Sequence, residues 1–329
     1  MSRTSLRMAA ALAAAFAVTS GPAAAETDRI VLDYAYYNPV SLLLKEKGWI
    51  EEEFAADDID VEWVLSLGSN KALEFLNGSS VDFGSTAGGA ALLARANGNP
   101  IKAIYIYSQP EWTALVTRPD TGIQSVADLA GKRVAVTRGT DPHLFLLRAL
   151  ADAGLSEDDI EAVLLQHPDG ARALVQGAVD AWAGLDPHMA QVEIDDGAVL
   201  FFRNADLNSY GVLNVRAEFA EENPELVDRV LEVYERGRQY ALDHPDEIRD
   251  ILITETRLSP EVAEKQLDER TAYPDPRIGD AHRENWQAVG EMLKQIGLLD
   301  ESVDVAQLLD DLIDTSFADR VLGHQQAQR

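Results

Sequence analysis

Residues 134–150 read VAVTRGTDPHLFLLRAL: a short apolar run, a polar break at Arg138-Gly139-Thr140-Asp141-Pro142-His143, then apolar residues at helical spacing. The run suits a strand. The Asp-Pro pair suits a helix start, because an Asp side chain accepts a bond from an orphan N–H and proline is pre-set for the first helical position. Asn38-Pro39 and Asp186-Pro187 repeat this grammar, each after an expected strand and before a helical run. Three helix N-termini are therefore predicted at strand C-terminal ends, the edge of an open α/β sheet where ligands gather.

Working outward, RIVLDYAYYNPVSLLLKEKGWIEEEF (29–54), IDVEWVLSLGSNKALEFLNG (59–78) and VDFGSTAGGAALLARANG (81–98) each read strand, turn, helix, and IKAIYIYSQPEW (101–112) adds another strand. Strands alternating with helices of this length imply parallel βαβ units and an α/β fold. A turn-rich break, TRPDTGIQSVADLAGK (117–132), precedes a restart of the same alternation, which predicts a second α/β lobe. NGSSVDFGSTAGGAALLARANG (77–98) is echoed by QGAVDAWAGLDPHMAQVEIDDG (176–197), at equivalent places in the two lobes. From Asn208 onward the pattern is almost wholly helical, so this tail is expected to pack back on the first lobe.

The first residues, MSRTSLRMAAALAAAFAVTSGPAAAETD, carry Arg3 and Arg7, an apolar stretch from Met8 to Val18 and small residues at Ala23-Ala24-Ala25. That is the grammar of a secretory signal peptide cut after Ala25, with an apolar core about half of the roughly 20 residues a membrane span needs. The chain has no cysteine, which excludes disulfides, thiol chemistry and a lipid-anchored cysteine. A soluble periplasmic protein is expected. Loss of the leader removes two arginines and no acid, leaving 26 basic against 56 acidic residues and a net charge of −30. Nucleic acid and anionic membrane are poor partners for such a chain.

Facing helix starts from two lobes would form an anion-binding cleft. Gly139 lets backbone approach, Thr140 adds a hydroxyl, and Arg138 is the cation at these junctions. Ser85 and Thr86 in FGSTAGG, and Ser69 in LGSN, are further candidates. Tyr36, Tyr37, Trp112 and Trp182 are read as cleft walls or hinge packing, and His143 and His188 as contact or surface. Asp141 and Asp186 would repel an anion unless their cap bonds offset the charge, which admits a zwitterionic ligand. No G-x-S-x-G elbow, H-E-x-x-H helix, P-loop or G-x-G-x-x-G fingerprint occurs, so no catalysis, cofactor or metal is expected.

LNGSSVDFGSTAGGA (76–90), SVADLAGKRVAVTRGTDPHLFLLRALADAGLSEDDIEAVLL (125–165), VDAWAGLDPHMA (179–190) and HPDEIRDILITETRLSPEVAEKQLDER (244–270) together resemble the periplasmic solute-binding proteins of ABC importers for taurine, aliphatic sulfonates and nitrate. The resemblance implies a type II two-lobed binding protein: 26–113 with 211–329 as lobe one, 114–210 as lobe two, and a hinge of two crossing strands near Glu111–Val116 and Tyr210–Val215. It implies a monomer that hands a small organic anion or zwitterion to a permease and its ATPase. By the same resemblance the ligand is held by Tyr36, Tyr37, Asn38, Ser85, Thr86 and the Arg138–His143 turn, with Trp182 and Asp186 nearby and Tyr210 at the hinge. Sulfonate binders commonly carry a Gln-Lys turn where this chain has Tyr36-Tyr37-Asn38, which leaves other small anions open. The fold is also similar to binders of thiamine-pyrimidine precursors and to a pyrimidine-forming enzyme. A periplasmic sensor subunit with the same lobes is a third reading.

Overall fold

The computed structural model describes residues 27–327; the expected leader at 1–25 lies outside the described residues. In chain order the strands are β1 (Arg29–Tyr34), β2 (Asp60–Leu65), β3 (Phe83–Ala87), β4 (Ile101–Pro110), β5 (Leu115–Thr117), β6 (Arg133–Val136), β7 (Glu161–Leu164), β8 (Ala181–Ala183), β9 (Val199–Phe202), β10 (Gly211–Arg216) and β11 (Thr271–Ala272). They form two sheets, ordered β11-β4-β10-β3-β1-β2 and β7-β6-β8-β5-β9. In the first, β1 runs parallel to β2 and β3, while β10 is antiparallel to β3 and β4. In the second, β6 is parallel to β7 and β8, and β5 is antiparallel to β8 and β9.

Each sheet is covered on both faces, which follows from the side-chain period of two along a strand. Val134 and Val136 of β6 join Phe145, Leu146 and Leu150 on one face, and Ala135 joins Val116, Leu174 and Trp182 on the other. In the first sheet Ile30, Leu32, Phe83, Ile104 and Ile106 share a core with Val227, Val230 and Leu231 of the tail helix Pro224–Asp243. One stretch of the expected helical tail departs from it. Gly211–Arg216 is a strand lodged between β3 and β4, because Val212, Leu213 and Val215 are fully buried there and six residues are too few for a stable helix.

Two segments connect the sheets, 111–114 after β4 and 203–210 before β10. They are tied at their outer ends by Arg203, whose guanidinium donates to both Glu111 oxygens at 2.8 and 2.9 Å. Further in, Thr113 N donates to Asn208 Oδ1 at 3.3 Å. At the centre both segments meet one carboxylate: Trp112 Nε1 donates to Asp141 Oδ2 at 2.8 Å, Ser209 N to the same oxygen at 3.1 Å, and Ser209 Oγ to Oδ1. Asp141 is 2% exposed, so all three bonds are made away from water.

The tail is seated on the first sheet by a glycine contact. Gly88 opens the helix Gly88–Ala96, and the indole of Trp286, from the helix Asp280–Gln295, lies directly on it. A Cβ at Gly88 would sit 2.0 Å from Trp286 Nε1, an atom that donates to Ser209 O at 3.1 Å. Gly88→Ala is expected to cost about 3 kcal/mol in urea unfolding, at the upper end of overpacking penalties. Gly323→Ala, where nothing lies within 4 Å of the added Cβ, should stay within roughly 0.5 kcal/mol of wild type.

Candidate functional site

Four helix N-termini converge between the sheets. Ser69–Asn77 follows β2, Asp141–Asp152 follows β6, His167–Val175 follows β7 and His188–Asp195 follows β8. The first three have no side chain capping them, so their leading N–H groups keep their partial positive charge. Each start carries the signature that local sequence dictates. Gly68 has φ +155, a region that disfavours any side chain, and a Cβ there would lie 3.1 Å from the His167 ring of the other lobe. Pro142 and Pro168 occupy the first turns of their helices.

Two adjoining cavities lie at these starts and share Tyr37 and Leu185 in their walls. One is closed by Ser69, Trp112, Thr140, Asp141 and Pro142. The other is closed by Tyr36, Ser66, Leu67, His167, Asp186, Pro187 and His188. Tyr37 meets Trp112 edge-on with ring centroids 5.9 Å apart, which fixes the aromatic wall between lobes. Among the described residues no Lys or Arg lines either cavity.

Behind the walls stands a buried polar network. Asp33 Oδ1, at the end of β1, accepts from Ser85 N and Ser85 Oγ, both at 2.8 Å, while Oδ2 has no partner. Asn38 Nδ2 donates to Ser85 Oγ at 2.8 Å, and Tyr37 Oη donates to Ser85 O at 3.0 Å. Burial pushes the Asp33 carboxyl up to about 6 against the pull of its Ser85 bonds. Asp186 is likewise raised to about 6 by burial, with the Arg270 guanidinium working against it. Arg270 approaches Asp186 at 3.2 Å and also holds Glu193, joining the tail to the second lobe. Burial drives the imidazoles of His167 and His188 down, to about 3 and about 4.

Of the residues the sequence singles out, Tyr36, Tyr37, Ser69, Trp112, Thr140, Asp141 and Asp186 stand in the cavity walls. The others are placed elsewhere. Arg138 is 58% exposed at its side chain and pairs with Glu157 at 2.8 Å on the surface, because Gly139, at φ +78, turns the chain between it and the helix start. His143 is buried beside Glu157, with Gly139 N donating to its Nδ1 at 3.4 Å. Asn38, Ser85 and Thr86 are consumed by internal bonds, Thr86 Oγ1 accepting from Asn214 at 2.7 Å. Trp182 is buried in the second lobe's core against Gly170, and Tyr210 packs on His282 at 4.4 Å.

The cap reading also needs correction at one junction. Asn38 Oδ1 accepts from Ser41 N and Asp186 Oδ1 from Ala190 N, as helix caps do. Asp141 lies inside its helix after Thr140, and its carboxylate is spent on Trp112 and Ser209. The sequence reading missed Ser66, His167 and Arg270, while His188, read from sequence as contact or surface, stands in the wall. For His167 a signal existed, since Gln166-His167-Pro168 repeats the polar-Pro helix start; Arg270 is brought in by tertiary packing alone.

A carboxyl raised from 3.8 to about 6 binds more protons folded than unfolded, so its contribution to stability is lost as pH rises from 4 to 6. Asp33→Asn removes that loss. Its unfolding free energy relative to wild type should improve by roughly 2 kcal/mol between pH 4 and 7, read by urea melts at both pH values. A constant difference across that range would show that Asp33 is ionised at both.

Residues 41–248 match the NMT1/THI5-like family. A protein of Bacillus subtilis (strain 168) named as a binder of aliphatic sulfonates is 30% identical over 285 residues, covering 85% of this chain and 84% of its own. The alkanesulfonate-binding protein SsuA from Xanthomonas axonopodis pv. citri, solved bound to MOPS, matches with a TM-score of 0.79 at 25% identity, over 89% of this chain and all of that one. A 4-amino-5-hydroxymethyl-2-methylpyrimidine phosphate synthase of Legionella pneumophila is 24% identical over 295 residues, covering 86% of this chain and 90% of its own. With its two α/β sheets and a cleft between them, the chain has the periplasmic binding protein fold and belongs to the NMT1/THI5-like family.

Proposed function

We propose that the protein is the periplasmic solute-binding component of an ABC importer and that it captures a small organic sulfonate, taurine or another aliphatic sulfonate, between its lobes. The observation that carries this reading is the meeting of helix starts 69, 141, 167 and 188 on one pair of cavities with no Lys or Arg in the walls. Helix N-termini hold a diffuse anion through backbone N–H groups, and a sulfonate offers three acceptor oxygens for them. Sequence and structural likeness to sulfonate binders supports the same head group.

In this reading residues 26–113 with 211–329 move against 114–210 about the two connecting segments. Tyr36, Tyr37, Ser69, Trp112, Thr140 and Asp186 contact the ligand as the lobes close, and the closed form is what the permease recognises. The leader delivers a monomer to the periplasm. No step of bond making is assigned to the protein.

The aromatic wall of Tyr37 and Trp112, together with the likeness to a pyrimidine phosphate synthase, favours one second reading: capture of a pyrimidine. A thermal-shift series on residues 26–329 separates the two. Taurine and ethanesulfonate at 100 times their Kd should stabilise the fold by about 2.7 kcal/mol, with pyrimidines silent. A shift from pyrimidines alone would replace the sulfonate reading with the second one.

A further inference from the structure

His167 stands apart from every other polar group in the cleft. It is the first residue of a nine-residue helix, it is 1% exposed, and it lines the cavity that Ser66 closes from the other lobe. Among the described residues neither of its ring nitrogens has a hydrogen-bond partner, and Ser66, also 1% exposed, stands against the Asp33 carboxyl. A buried imidazole without partners is costly, and buried polar groups in native proteins are normally satisfied. The helix start gives this corner positive potential, which a neutral imidazole leaves uncompensated.

We infer that His167 is the specificity-determining seat for the ligand's anionic head, and that anion capture is coupled to uptake of one proton by its imidazole. This rests on the proposed anion-binding function and assigns its charge chemistry. The imidazolium donates one N–H to the oxyanion, and the proton comes from solvent. A cation is thereby created only when an anion enters, which suits a cleft whose walls carry no permanent one.

Charged and titratable groups face His167 from both lobes. Burial, and after it His188 on the neighbouring helix, depresses the imidazole's proton affinity in the free protein. Asp186 is paired with Arg270, whose second arm holds Glu193, itself near Lys265 at 3.6 Å. Tyr36 and Tyr37 face the ring from the first lobe, and Asp33 lies behind Ser66. On the ring's own helix Asp169 and Arg172 pair with each other at the surface at 3.1 Å. Lower pH neutralises Asp33, whose carboxyl burial holds at about 6, and supplies the proton that His167 takes up with the anion.

The test is calorimetric titration of the mature protein with ethanesulfonate, sodium sulfate and sodium nitrate, from pH 8 to 5.5, in buffers of differing ionisation enthalpy. Wild type should take up a proton on binding, with affinity rising by up to about tenfold per pH unit where uptake is complete. His167→Gln should lose the uptake and flatten the pH profile, while His143→Gln, off the cavity, should keep both. Binding of any of the three anions with no proton uptake, or with uptake intact in His167→Gln, overturns the inference while leaving the anion reading in place. Proton-linked binding of sulfate or nitrate without ethanesulfonate keeps the inference and removes the sulfonate assignment. Absence of binding by all three removes both.

Discussion

The carboxylate of Asp141 is the constraint on which the rest of the molecule turns. It gathers Trp112 from one connecting segment and Ser209 from the other, so both crossings between the sheets are fixed to the first turn of a single helix. Burial raises the proton affinity of the carboxyl, and the bonds from Ser209 and Trp112 hold its charge against that rise. The same helix start forms a wall of the ligand cavity. The proposed rotation of one lobe on the other is thus referenced to the cavity, since the connecting segments and the cavity share a residue.

Such a cleft solves an electrostatic problem. The chain carries a formal net charge of −28, and no Lys or Arg among the described residues stands in the cavity walls. An anion gains nothing from long-range steering by this protein, and salt screens the surface charge beyond about 8 Å in any case. Short-range donors must do the binding. In the proposed function helix N-termini supply them from both lobes, so an anion would complete its coordination only when the lobes are together. The one buried guanidinium nearby, Arg270, is already committed to Asp186 and Glu193, and serves to tie the tail to the second lobe.

The alternation of strands and helices was legible because it is written in local periodicity: VAVTRGTDPHLFLLRAL becomes β6 and the helix Asp141–Asp152. Gly211–Arg216 was lost in the helical pattern because six residues give too short a period to read; the family resemblance alone placed a strand there, and its neighbours β3 and β4 define it. At the site, proline-marked helix starts located the cavity edge. Side-chain roles did not follow from that placement. Arg138 was attractive as a cation at a junction, yet Gly139 turns it away to Glu157, and Asp141 trades its cap bond for partners 29 and 68 residues distant in sequence. Such long-range partners leave no local trace, which is also why Ser66 and Arg270 went unread.

The central claim is that the two lobes close on a small anion and that the closed arrangement is the one described. Small-angle X-ray scattering of the mature protein, with and without saturating ethanesulfonate, tests it most directly. Free protein should give a radius of gyration larger than that calculated for this closed structure, and the ligand should bring the two values together. Identical scattering with and without ligand, under conditions where binding is saturated, would contradict closure as the protein's response to its solute.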